Sequence, residues 1–137
     1  MTIEQSDDLK LIEAFLSWMQ KNKKDYTITF RGFTKDPDSL FEDAEGKTWY
    51  EQYQRRLSLE QISPEKRGKM MAQANPKFVL RNYLAQEAIQ DAEKSDFTRL
   101  IKLLEVLKNP YAENPEFDDF AKAPPEWGKK LEISCSS

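Results

Sequence analysis

The stretch Asn75-Pro76-Lys77-Phe78-Val79-Leu80-Arg81-Asn82-Tyr83-Leu84-Ala85 decides the fold class. Asn75 before Pro76 is a cap-then-proline start, because proline fits the first helical position, where its missing N–H is not needed. Val79, Leu80, Tyr83 and Leu84 then form an apolar stripe that continues through Ala88 and Ile89, and it predicts the best-marked helix of the chain. Arg81 and Asn82 fall inside that predicted helix among largely apolar neighbours. Arg81 reads as an edge-of-core residue laying its stem over apolar surface, with a carboxylate or phosphate clamp as the competing role.

Working outward, Lys94-Ser95-Asp96 ends this helix and Ser95 is expected to cap the next. There Phe97, Leu100, Ile101, Leu104 and Leu107 recur at helical spacing, up to the stop at Asn109-Pro110-Tyr111. On the amino-terminal side, Ser63-Pro64 repeats the cap-then-proline start for a short helix ending near Ala74. Trp49, Tyr53 and Leu57 stack one turn apart in a helix opened by Trp49, with Gln52, Gln54, Arg55 and Arg56 expected to face outward. Residues 34–43, with Asp36-Pro37-Asp38-Ser39, read as a loop or one short turn. Asp25-Tyr26-Thr27-Ile28-Thr29-Phe30-Arg31 alternates like a strand, yet Asp25 can cap a helix, and the helical neighbours tip the reading to helix. Leu9, Ile12, Phe15, Leu16 and Met19 mark the first helix, entered through Ser6, Asp7 and Asp8 and left in the cations Lys21–Lys24.

The expected architecture is all-α: about five or six helices over residues 1–110, followed by an extended, proline-punctuated arm and tail over 111–137. Tyr111, Phe117, Phe120 and Trp127 are the arm's aromatics. They read as packing or interface material, since a base-stacking platform needs a basic groove and this segment carries Glu113, Glu116, Asp118 and Asp119.

Composition narrows the function. With 137 residues, 39% hydrophobic and 33% charged, the chain is a globular domain with a charged surface. A net charge of −3 leaves no footprint for nucleic acid or an anionic membrane. No apolar run approaches the roughly 20 residues of a membrane span, so a soluble, reducing compartment is expected. Histidine is absent, which removes Ser-His and Cys-His nucleophile pairs and zinc sites of the Cys/His type. The adjacent pairs Asp7-Asp8, Glu42-Asp43 and Asp118-Asp119 read as solvated surface, because neighbours in sequence do not face each other on a helix. No glycine-rich phosphate loop is present. The only cysteine, Cys135, sits third from the end, where packing gives it no reason to be cysteine.

The segments Asp25–Arg31, Asn75–Ile89, Leu107–Tyr111, Pro124–Trp127 and Ser134-Cys135-Ser136-Ser137 together resemble, in order, the carboxyl-terminal portion of the selenoprotein O family. The resemblance implies a larger protein with a kinase-like fold that transfers AMP from ATP to hydroxyl side chains of other proteins, using Mg2+ or Mn2+. It also implies that the nucleotide, metal and catalytic residues lie upstream. No catalytic, cofactor-binding or metal position is therefore carried over to this sequence, and the kinase-like core becomes the expected packing partner. One position does carry over. Cys135 matches the place of a selenocysteine or cysteine, which implies a redox role. The resemblance further implies a bacterial cytoplasmic or eukaryotic mitochondrial setting. A self-standing helical interaction module, binding through its apolar and aromatic surface, is the alternative from another class. Arg81, Asn82 and Trp127 are structural or interface candidates.

Overall fold

A computed structural model describes residues 5, 7–33 and 35–131. Every regular element among them is helical: α1 (Asp8–Lys21), α2 (Tyr26–Gly32), α3 (Pro37–Leu40), α4 (Ala44–Leu57), α5 (Pro64–Ala74), α6 (Asn82–Glu93), α7 (Thr98–Leu107) and two 3₁₀ segments, Pro115–Ala121 and Glu126–Gly128. The chain is all-α, and none of these helices is long and apolar enough to cross a membrane. It divides into two compact units, Met1–Ala74 and Asn75–Ser137.

The first unit is built on α1 packed against α4. Phe15, Trp18, Met19, Phe41 and Trp49 are its buried core, with Phe30, Phe33, Tyr50 and Tyr53 packed around them. Phe15 stacks on Trp49 with ring centroids 4.5 Å apart, and Tyr53 stacks on Trp49 at 5.2 Å. Two buried indole N–H groups need acceptors in such a core. Trp49 Nε1 donates to the Leu11 carbonyl at 2.7 Å, and Trp18 Nε1 donates to Asp43 at 2.9 Å. Asp43 also caps α4 by accepting the Gly46 N–H at 2.6 Å. Helix α4 thus begins at Ala44, five residues before Trp49, because the Asp43 cap outweighs the polar, glycine-containing stretch that follows it. Asp25 caps α2 through the Ile28 N–H at 2.9 Å, which settles the helix-or-strand ambiguity of residues 25–31 in favour of helix.

Arg56 corrects the outward-facing assignment. It is buried, with Nε and Nη2 on the two Asp8 carboxylate oxygens at 2.6 and 3.0 Å and Nη1 on Glu60 at 3.3 Å. Asp8 and Asp43 are likewise structural anchors rather than solvated members of acidic pairs. The guanidinium holds the Asp8 carboxyl below the ordinary carboxylate range. The Gly46 N–H, then the Trp18 indole, does the same for Asp43. A buried guanidinium needs acceptors for its N–H groups, and the Asp8 and Glu60 carboxylates supply them here.

In the second unit the helix predicted from Pro76 begins only at Asn82, so Arg81 is its N-cap residue and Asn82 its first turn rather than interior positions. The cause is tertiary. The Lys77 and Phe78 N–H groups both donate to the Pro110 carbonyl, at 2.8 and 3.1 Å, which holds the backbone out of a helix. Phe78 is thereby seated in a buried cluster with Val106 and Phe117. Tyr83, Leu84 and Ala88 of α6 pack on Leu103 of α7, and Phe120 packs against both clusters.

The α6–α7 junction also departs from the expected cap. Ser95 does not cap α7. It lies at φ 65°, just past the end of α6, while the Asp96 N–H reaches back to the Asp91 carbonyl at 2.9 Å and the Ser95 N–H to Ala92 at 2.9 Å. This is a Schellman ending with serine where glycine is usual. The cap role passes to Asp96, which accepts the Thr98 N–H at 3.0 Å. Helix α1 ends in the same way, with Lys23 at φ 50° and Lys24 N–H bonded to the Met19 carbonyl at 2.9 Å.

Candidate functional site

Two of the three described site candidates meet at the amino-terminal end of α6. Asn82 Nδ2 donates to the Leu131 carbonyl at 3.0 Å. Its neighbour Tyr83 makes an edge-to-face contact with Trp127, with centroids 6.1 Å apart and planes at 87°, and its hydroxyl donates to the Lys122 carbonyl at 3.3 Å. The chain after Pro124 is therefore folded back over the start of α6, with the Trp127 ring still half exposed. Gly128 makes the approach possible. A Cβ there would stand 2.7 Å from Tyr83 Cβ, closer than two such carbons can come. A second clamp lies upstream. Lys77 Nζ donates to the Glu113 carbonyl and to Asp118 Oδ1 at 2.5 Å, tying the Pro76–Arg81 stretch to the first 3₁₀ segment. Asp118, from the third acidic pair, is thus half of a tether.

Arg81 stands apart from this anchor in role. It is half-buried, its backbone opens α6, and its side chain supplies no cap to the helix. Cys135 lies outside the described residues.

The unit's most prominent surface feature is apolar. On α7 only Leu103 and Val106 are buried, whereas Leu100, Ile101 and Leu104 are exposed, as is Phe97 just ahead of the helix. The stripe legible in the sequence therefore faces outward, and the residues between its members make the core. Between α6 and α7 this leaves an open groove of about 210 Å3, lined only by aliphatic side chains that include Leu80, Ala85, Ile89, Leu100, Leu104 and Leu107. Nothing in the sequence singled out this groove. The signal available was that the apolar arc of α7 is wider than a single buried face needs, with Arg99, Lys102 and Glu105 confined to one strip.

Among the described residues no group of three or more His, Cys, Asp and Glu side chains stands close enough together to hold a metal ion. Asp8, Asp43, Asp96 and Asp118 are engaged by a guanidinium, an indole, a backbone N–H and an ammonium, as described above. No step through ATP or a divalent ion is derived from these residues.

The geometry defines a helical segment with an anchored, folded-back carboxyl-terminal stretch and an uncovered aliphatic groove. A family profile described as "Protein adenylyltransferase SelO" matches residues 1–108, and the chain belongs to this family. It is 45% identical to "Protein nucleotidyltransferase YdiU" of Yersinia pseudotuberculosis serotype O:1b over 96% of its own length and 29% of that protein's. A Vibrio parahaemolyticus protein of the same description is 44% identical, with 96% and 30% covered, and one from Vibrio cholerae is 42% identical, with 100% and 31% covered. The chain thus spans about three-tenths of the length of the curated relatives it matches.

Proposed function

We propose that this chain is the carboxyl-terminal accessory segment of a SelO-type protein adenylyltransferase of the bacterial cytoplasm. In this reading it packs against a kinase-like core and stabilises it. The core, outside this chain, binds ATP with Mg2+ or Mn2+ and transfers AMP to Ser, Thr or Tyr hydroxyls of protein substrates. The observation that carries the reading is the proportion of the match: nearly all of this chain aligns with about three-tenths of each relative. The described residues support it, because their polar groups serve caps and ion pairs and their surplus is apolar surface. Cys135 is the redox-sensitive position in this proposal, since a thiolate rather than a thiol attacks a disulfide.

The test is transfer of labelled AMP to protein by the isolated chain with ATP and Mn2+, beside the full-length Yersinia relative as positive control. The expected result is no incorporation by the chain. Incorporation above the no-protein background overturns the accessory reading. Titration of Cys135 with a thiol reagent across pH 5 to about 9 tests the redox part. A thiol that ionises in the usual range near 8.5, alone and within a full-length protein, removes it.

A further inference from the structure

We propose that the aliphatic groove between α6 and α7 is the seat of the rest of the polypeptide in a full-length family protein. The inference rests on the accessory reading above and adds the face through which that accessory segment docks. Three observations carry it. First, the apolar arc of α7 is wider than its buried face: Leu103 and Val106 are buried, Leu100, Ile101 and Leu104 remain 38%, 61% and 56% exposed, and Arg99, Lys102 and Glu105 form a separate polar strip. A water-facing helix carries polar residues outside the stripe it buries, so the exposed apolar flank is composed for burial against something further. Second, the exposed residues belong to a concavity. Leu80 ahead of α6 and Ile89 on it, 59% and 45% exposed, line the groove opposite Leu100 and Leu104, so a ridge of apolar side chains has a slot to enter. Exposed leucines scattered singly need no explanation, but a contiguous aliphatic slot marks an interface.

Third, the occupant is present in the relatives. About seven-tenths of each relative's length lies outside the region this chain matches. Covalent linkage keeps that polypeptide in the same molecule as the groove, at an effective concentration that reaches the order of millimolar when the connection is short, so it competes ahead of any second molecule. A second exposed apolar stripe, Leu9, Ile12 and Leu16 on α1, serves as the internal control.

The experiment uses the full-length Yersinia pseudotuberculosis relative with this chain replacing its matched segment and a protease site at the junction. After cleavage, gel filtration with light scattering reads whether the two pieces remain together, and dilution gives the dissociation constant. The groove variant is Ile89→Asp with Leu104→Asp, and the control is Leu9→Asp with Leu16→Asp. All four side chains are exposed, so the helices keep their buried faces.

The expected result is a complex weakened at least tenfold by the groove pair and less than threefold by the α1 pair. Equal dissociation constants for the groove variant and the unsubstituted protein overturn the docking face while leaving the accessory reading intact. Separation of the unsubstituted pieces overturns the accessory reading itself. A dimer of this chain that the groove pair splits, with binding to the other piece unchanged, assigns the groove to a second copy and likewise overturns the proposal. Hydrogen exchange provides a readout independent of the substitutions. Backbone amides of α7 gain at least tenfold protection in the complex over the isolated chain, and unchanged protection counts against the groove.

Discussion

Replacing Phe78 by alanine isolates the interaction that ends the predicted helix and organises the second unit. Phe78 is 1% exposed, its ring lies in a cluster with Val106 and Phe117, and its own N–H and that of Lys77 are held by the Pro110 carbonyl. Truncating a fully buried phenylalanine costs about 3–5 kcal/mol, because the lost transfer free energy adds to that of the cavity. A unit of about sixty residues, at about 0.05–0.15 kcal/mol per residue, holds only about 3–9 kcal/mol in total. Phe78→Ala is therefore expected to bring the second unit close to its unfolding midpoint in plain buffer. Phe97→Ala is the matched control: the same chemistry at a position 51% exposed, with an expected cost below about 1 kcal/mol. Urea titration by far-UV circular dichroism gives the sums, and hydrogen exchange followed by mass spectrometry assigns the loss to α6 and α7. The α1 and α4 peptides, whose core contains no Phe78 contact, keep their protection. Equal costs for the two variants, or a Phe78→Ala cost under about 1 kcal/mol, refute the reasoning. They would mean that the stripe starting at Phe97, and not Phe78, makes the core.

Three other outcomes follow from the geometry. Lys23 and Ser95 are exposed residues in left-handed backbone, at φ 50° and 65°, so Lys23→Gly and Ser95→Gly relieve about 1–2 kcal/mol of strain, less about 0.5–1 for glycine's greater freedom when unfolded. Each should raise the stability of its own unit by about 0.5–1 kcal/mol in urea titrations, and a loss in either variant contradicts the Schellman assignment. Asp8 and Asp43 both have carboxyls held below the ordinary range, so they release their protons more readily folded than unfolded. Their contribution is complete at neutral pH and is lost as pH falls through about 4 and below. The urea midpoint of the first unit should drop more steeply between pH 6 and about 3 than in the Asp8→Asn, Asp43→Asn double variant, and parallel profiles exclude the linkage. Gly128→Ala forces a Cβ into Tyr83 and should release the fold-back over α6, at a cost of about 1–3 kcal/mol. Increased exchange confined to residues 122–131 is the expected sign, and unchanged exchange there rules out the close approach.

The helices were legible where local chemistry decides them and illegible where a distant contact does. Asp25, Ser63-Pro64 and the apolar run of α1 announce themselves, because capping and periodicity act within a few residues. Pro76 carries the same signal as Pro64, yet the Pro110 carbonyl, more than thirty residues away, takes the N–H groups of Lys77 and Phe78. Arg56 looks like an exposed helix residue until Asp8, 48 positions earlier, folds beside it. On α1 and α7 the difficulty is different. Both helices have an apolar arc wider than the face that is buried, so periodicity finds a stripe but cannot say which part of the arc is inside. Trp18, Leu103 and Val106 are buried, while Leu16, Ile101 and Leu104 are not. Asn82 and Trp127 were legible as interface candidates, but their meeting around Tyr83 depends on Gly128, whose importance is one of space rather than pattern.

The most direct test of the account is the thermal unfolding of the Yersinia relative from which the matched segment has been deleted, recorded with and without this chain added in trans. An accessory segment that packs on the core must raise the midpoint with increasing concentration, approaching about 2.7 kcal/mol of added stability at one hundred times the dissociation constant. A midpoint that does not move at any concentration of added chain, from a deletion protein that melts as high as the full-length relative, contradicts the account.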